Sequence, residues 1–221
     1  MIVSQKKPFE EVLGYLDDVE TVVLTGCADC ASLCKTGGED EIAELTAALE
    51  AEGKKVLASK VLTTSCSLLL NRKELKEIKD EIKAADAVIS MACGDGVQTV
   101  AKNVKKATYP SNDTMFVGET VRQGVFQEMC KTCGECVLGR TAAICPITRC
   151  GKSLLNGACG GSKDGKCEVI PENECAWIEI YEKLKEVGKE AELEAVQPLR
   201  DYKDRTYPQT IDLRKQAKKG A

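Results

Sequence analysis

Eight cysteines lie between Cys130 and Cys175, and no other feature constrains the fold of this chain as strongly. Glycine, proline and lysine surround them, and the apolar periodicity of a helix or strand is absent from 121–175. A segment with so little to bury needs another source of folding energy, and thiol-bound metal supplies one. The whole chain has 13 cysteines and no histidine in 221 residues. An odd count leaves one thiol over in any disulfide framework. The first residues, Met1 to Pro8, lack the apolar core of a signal peptide, and no run of apolar residues is long enough to span a membrane. The expected compartment is therefore the cytoplasm, where thiols stay reduced and serve as ligands or catalytic groups.

The missing histidine excludes a Ser-His-Asp triad, an imidazole base and His-ligated zinc or haem. A net charge of −4 argues against nucleic acid as a partner, as do the few aromatics: one Trp, five Tyr and three Phe.

Residues 1–120 read as alternating helices and strands. Phe9, Val12, Leu13 and Leu16 have helical spacing, and Thr21–Thr25 is a buried-strand run. A helix from Glu39 to Glu52 precedes a strand over Val56–Leu62. Asn71 with Glu74 has the form of a capping box, followed by Leu75, Ile78 and Ile82. Ala87–Ala92 reads as a third strand, Val97, Val100 and Val104 as a helix stripe, and Met115–Val117 as a fourth strand. This alternation predicts an α/β fold with an open parallel sheet of the flavodoxin or Rossmann kind. A cysteine-rich, metal-held module over 121–188 follows, with a closing helix at 174–188 that presents Trp177, Ile178, Tyr181 and Leu184. A charged tail over 189–221 is expected to be extended and to contact a partner, with Pro198 to Tyr202 on that partner.

In such a sheet the strands' carboxyl ends share one edge. Cys27, Cys30 and Cys34 follow the first strand as C-x2-C-x3-C, Cys66 follows the second and Cys93 the third. Five thiols should thus meet at that edge, and four suffice for a [4Fe–4S] cubane. Cys93 is the preferred fourth ligand, because Gly94 and Gly96 admit close backbone approach and a helix begins there. Cys66 is its rival and the first candidate for a spectator. The loop that would hold a flavin phosphate in a flavodoxin is occupied by Cys27, Cys30 and Cys34.

In the second group, Cys130, Cys133 and Cys136 form C-x2-C-x2-C, followed by Cys145-Pro146, Cys150, Cys159, Cys167 and Cys175. The run matches part of the bacterial ferredoxin pattern, with eight residues rather than three before the Cys-Pro. Eight thiols can make two four-ligand sites, as cubanes or as tetrahedral zinc. All-sulfur ligation favours iron–sulfur. Two further patterns are decoys. Gly151-Lys152-Ser153 lacks the earlier glycine of a phosphate loop, where Pro146 stands, and Lys152 reads as a surface or partner contact. Gly94-Asp95-Gly96 lacks the third glycine of a dinucleotide fingerprint, where Thr99 stands.

The stretch from Cys145 to Ser162, with Gly165–Val169 and Glu174–Trp177, resembles the signature of the MetV family. These are the small iron–sulfur subunits of two-subunit methylenetetrahydrofolate reductases. The resemblance extends to Gly26–Cys34, Gly37–Glu39 and Ala92–Thr99, and spans roughly residues 20–200. Two positions depart from it: Cys66 lies in Thr-Ser-Cys-Ser rather than an Arg-Gln-Cys-like setting, and Ala158 replaces proline. The resemblance implies a division of labour. A flavin-bearing barrel subunit would reduce methylenetetrahydrofolate to the methyl form. This chain, with no catalytic residue of its own, would pass electrons to or from that flavin through two [4Fe–4S] clusters, with thiols enough for a third. Larger electron-bifurcating assemblies are known for such subunits. The same C-terminal segment occurs as an appended domain described as zinc-binding. The alternative is therefore a zinc-stabilised docking subunit without a redox role.

Overall fold

The computed structural model describes residues 1–202 and 208–214. The chain divides into two compact units, Met1–Glu128 and Met129–Ala221. The parts of the tail reading that fall on 203–207 and 215–221 lie outside the described residues.

The first unit opens with strand β1 (Ile2–Lys6) and helix α1 (Phe9–Gly14). Strand β2 (Thr21–Cys27), the short helix α2 (Cys30–Leu33) and helix α3 (Glu39–Ala51) follow. Next come β3 (Lys55–Leu62), α4 (Leu68–Glu74), a 3₁₀ turn (Leu75–Ile78) and α5 (Lys79–Ala84). Strand β4 (Ala87–Ser90), helix α6 (Gly94–Asn103) and strand β5 (Ala107–Pro110) complete a four-stranded, all-parallel sheet in the order β3-β2-β4-β5. That order is the flavodoxin-like one, with its switch point between β2 and β4.

Alternation across the sheet sorts the core into two layers. Val22, Leu24, Ala87 and Ile89 pack with Val12, Leu16, Ile42 and Leu49 on one face. Val23 and Val88 pack with Leu75, Ile82, Val100 and Val104 on the other. Burial of each such Val, Leu or Ile side chain contributes roughly 1.5–3 kcal/mol. This is why β2 and β4 read as continuous apolar runs.

Three expectations change. The fourth parallel strand is β5, whereas Met115–Val117 lies in β6 (Asn112–Arg122), which pairs antiparallel with β1. With β7 (Val125–Cys130) these form a separate sheet in the order β1-β6-β7. The third strand stops at Ser90. Asn71 does not cap a helix: α4 begins at Leu68, Asn71 is buried inside it, and its Nδ2 donates to the Ser65 carbonyl at 2.6 Å. Glu74 instead accepts from the Thr63 N–H and hydroxyl.

Among its described residues the second unit has little regular structure: helix α7 (Pro146–Arg149), helix α8 (Ala176–Glu186) and short 3₁₀ turns at Leu138–Arg140 and Glu190–Glu194. Its core is small. Cys175, Trp177, Ile180 and Leu184 pack with Ala142, Ile144, Cys150 and Leu154. Ile180 takes the inward position expected of Ile178, and both Ile178 and Tyr181 are exposed. Gly188 ends the helix with φ +64°, as a C-terminal glycine does.

Candidate thiol sites

At the carboxyl edge of the parallel sheet, Cys27 closes β2 and is buried. Its N–H donates to the Gly37 carbonyl at 2.8 Å, which folds the Ala28–Thr36 loop back onto the strand end. Side chains are excluded from that clasp. A Cβ on Gly37 would overlap the Met91 carbonyl oxygen, and one on Gly26 would overlap the Gly37 carbonyl oxygen. Cys30 begins α2 and Cys34 follows its last turn. Their sulfurs contact one residue of β1: Ile2 N–H donates to Cys30 Sγ at 3.5 Å, and Cys34 Sγ donates to the Ile2 carbonyl at 3.9 Å.

Cys93 stands at the N-terminus of α6, whose Gly94 N–H donates to Thr114 Oγ1 at 2.8 Å. Cys66 sits in the loop between β3 and α4. Partial burial of its sulfur pushes the Cys66 thiol up, although the residue as a whole is exposed. The Asp95 carboxylate pushes the same way, and Cys93 and Cys27 add smaller contributions. The electrostatic neighbours of Cys66 are thus the thiols that end β2 and follow β4.

In the second unit Cys130 ends β7 and accepts from the Thr132 N–H at 3.3 Å, while Cys133 Sγ donates to the Glu135 carbonyl at 3.5 Å. Thr132 and Gly134 both have positive φ, as in a tight thiol-bearing loop. Cys136 is exposed, and Cys145 precedes Pro146 at the start of α7. Cys150, Cys159, Cys167 and Cys175 line a single small cavity of about 20 Å³, with Lys152, Glu168 and Trp177 on its wall. Backbone N–H groups of Ile170, Val169 and Gly151 hold the Cys167 thiol below its ordinary value, and Lys152 adds to this. Lys152 is exposed, as a surface residue should be, and is ion-paired with Glu168.

All 13 thiols are free. Soft thiol donors on loops, several facing backbone N–H groups, have the chemistry of ligands to iron–sulfur clusters or zinc. Among the described residues, however, no three His, Cys, Asp or Glu side chains stand together as a group able to hold a metal ion. The donor type fits such a centre; the side-chain positions do not themselves close one.

Arg200, which the tail reading sends to a partner, turns inward. Its Nη2 donates to Cys133 Sγ at 3.3 Å and to the Glu135 carbonyl. No local pattern points to this contact, because the two residues are 67 positions apart.

The fold and its thiols define a class: an open parallel α/β sheet with cysteines on its carboxyl edge, followed by a cysteine-rich unit. The family model described as methylene-tetrahydrofolate reductase C terminal matches residues 109–203 and relates the chain to those reductases through its cysteine-rich half. No curated protein matches the chain, and no solved structure does. No helix among the described residues is long and apolar enough to cross a membrane.

Proposed function

We propose that this chain is the MetV-like iron–sulfur subunit of a methylenetetrahydrofolate reductase. In this role it carries electrons to or from the flavin of a barrel-type partner that converts methylenetetrahydrofolate to the methyl form. The observation that carries the reading is the coincidence of a thiol-lined sheet edge with a cysteine-rich segment matching the reductase C-terminal family. Cys27, Cys30 and Cys34 with Cys93 or Cys66 would hold one cluster, and Cys130, Cys133, Cys136 and Cys145 a second. A [4Fe–4S] cluster supplies one-electron exchange when bound. The chain's own residues position the thiols, aim N–H groups at sulfur and set the local charge. The exposed apolar side chains Val196 and Leu199 leave the tail a surface for the partner, in a reductase or a larger electron-transfer assembly in the cytoplasm.

A second reading rests on the cavity shared by Cys150, Cys159, Cys167 and Cys175. A space of about 20 Å³ suits one ion better than a cubane. A zinc-stabilised docking subunit without redox function would use that quartet alone.

Anaerobic purification of the full chain separates the two. A brown protein whose visible absorbance bleaches on reduction, and which exchanges electrons with the flavin subunit, supports the first. A colourless protein carrying only zinc would overturn it.

A further inference from the structure

We propose that Arg200 is the built-in counter-charge of an anionic thiolate centre at Cys130, Cys133 and Cys136, so that the tail closes over the site it neutralises. The guanidinium is nearly enclosed, its side chain only 5% exposed. Nη2 is engaged with Cys133 Sγ and the Glu135 carbonyl. Nε lies 3.5 Å from the Glu135 carboxylate without making a hydrogen bond, and neither Nε nor Nη1 has a hydrogen-bond partner among the described residues. The Tyr202 ring covers one face of the group at 5.6 Å.

A permanently charged group with two unsatisfied donors is costly to bury. Glu135 offsets little of that cost, since its side chain is 65% exposed and screened by water. Cys133 sits at the centre of C-x2-C-x2-C, and its sulfur is already the acceptor of Nη2. Thiolates at Cys130, Cys133 and Cys136, once drawn together by a bound metal into a centre of net negative charge, would be the anion this guanidinium lacks. The sequence then gains a reason for an arginine so far along the tail: it neutralises charge at the site. The inference rests on the reading that these cysteines hold an anionic metal centre.

The test uses the full chain, purified anaerobically with its metal, in wild-type form and as Arg200→Gln, Arg200→Lys and Arg214→Gln. Arg214 is the control, being 89% exposed. Metal release to a chelator is followed by mass-spectrometric alkylation of Cys130, Cys133 and Cys136, together with redox titration. R200Q is expected to release metal from these thiols at least about tenfold faster, as loss of an outer-shell partner does. Its reduction potential should shift negative, because removal of a positive charge disfavours the more negative reduced state. R200K should restore most of both properties, and R214Q should match wild type. The sign of the shift is decisive, because mere loosening of the tail would admit water, which stabilises the reduced state and moves the potential the other way. Metal bound at these thiols with R200Q unchanged, or shifted positive, overturns the inference and leaves the electron-transfer reading standing. Zinc alone at these thiols, released faster in R200Q, supports the inference and overturns electron transfer there. No metal at these thiols in wild type overturns both.

Discussion

At the scale of single residues, Gly37 shows how much of a thiol loop can depend on a missing side chain. Its carbonyl accepts the Cys27 N–H, and its Cα lies where any Cβ would overlap Met91. Gly37→Ala is expected to destabilise the first unit by about 3 kcal/mol, the upper end of overpacking costs. Chemical denaturation followed by far-UV circular dichroism measures this, and Gly14→Ala, which meets open space, should be near neutral. Asp86 gives a pH prediction. Its carboxylate accepts from the Thr21 hydroxyl and N–H at 2.8 Å and from the Glu20 N–H at 3.2 Å, and the Thr21 contacts hold it below the ordinary carboxylate value. A carboxyl depressed in the folded state stabilises the fold above its unfolded value, and the effect is lost as pH falls through the folded value. Thermal midpoints of Asp86→Ala should therefore fall less steeply below about pH 4 than those of wild type. An unchanged acid slope would show that Asp86 contributes nothing there.

At the scale of elements, the second unit depends on α8. Trp177 packs in its core and donates Nε1–H to the Leu154 carbonyl at 3.2 Å. Trp177→Ala should cost about 3–5 kcal/mol, in line with large aromatic truncations. Limited proteolysis should then cut within 129–202 while the parallel sheet stays resistant. This scale also shows what was legible beforehand. Strands β2 and β4 announce themselves as apolar runs because both faces are covered. Strand β1 does not, since Ile-Val-Ser-Gln-Lys becomes a strand only by pairing with β6, more than 100 residues away. Strand β5 is short, ends in proline and sits at the sheet edge. Asn71 and Glu74 match a cap in type and spacing, but the helix starts one turn earlier and uses both side chains elsewhere. The cysteines stood out at once as ligand candidates. The common cavity of four of them, and the arginine against Cys133, did not, because a segment without periodicity has a fold that no local pattern encodes.

At the scale of the whole molecule, the two units draw on different sources of stability. The first has two apolar layers, whereas the second has, among its described residues, one small cluster and eight thiols. On the proposed reading that thiol-bound metal holds the second unit, a chelator is expected to unfold that unit while the first keeps its cooperative melt. Calorimetry before and after treatment checks this, and loss of both transitions would show the units to be interdependent. The limits of the family match add a further consequence. It begins at Tyr109, inside β5, and takes in all of β6, yet β6 pairs residue by residue with Ile2–Lys6 at the opposite end of the chain. The matched segment and the folded unit are therefore different pieces of polypeptide. Residues 109–203 transplanted to another host would leave the β1-facing side of β6 with no strand beside it. The host would have to supply a replacement strand, or the graft would seek one by joining edge to edge with a second copy of itself.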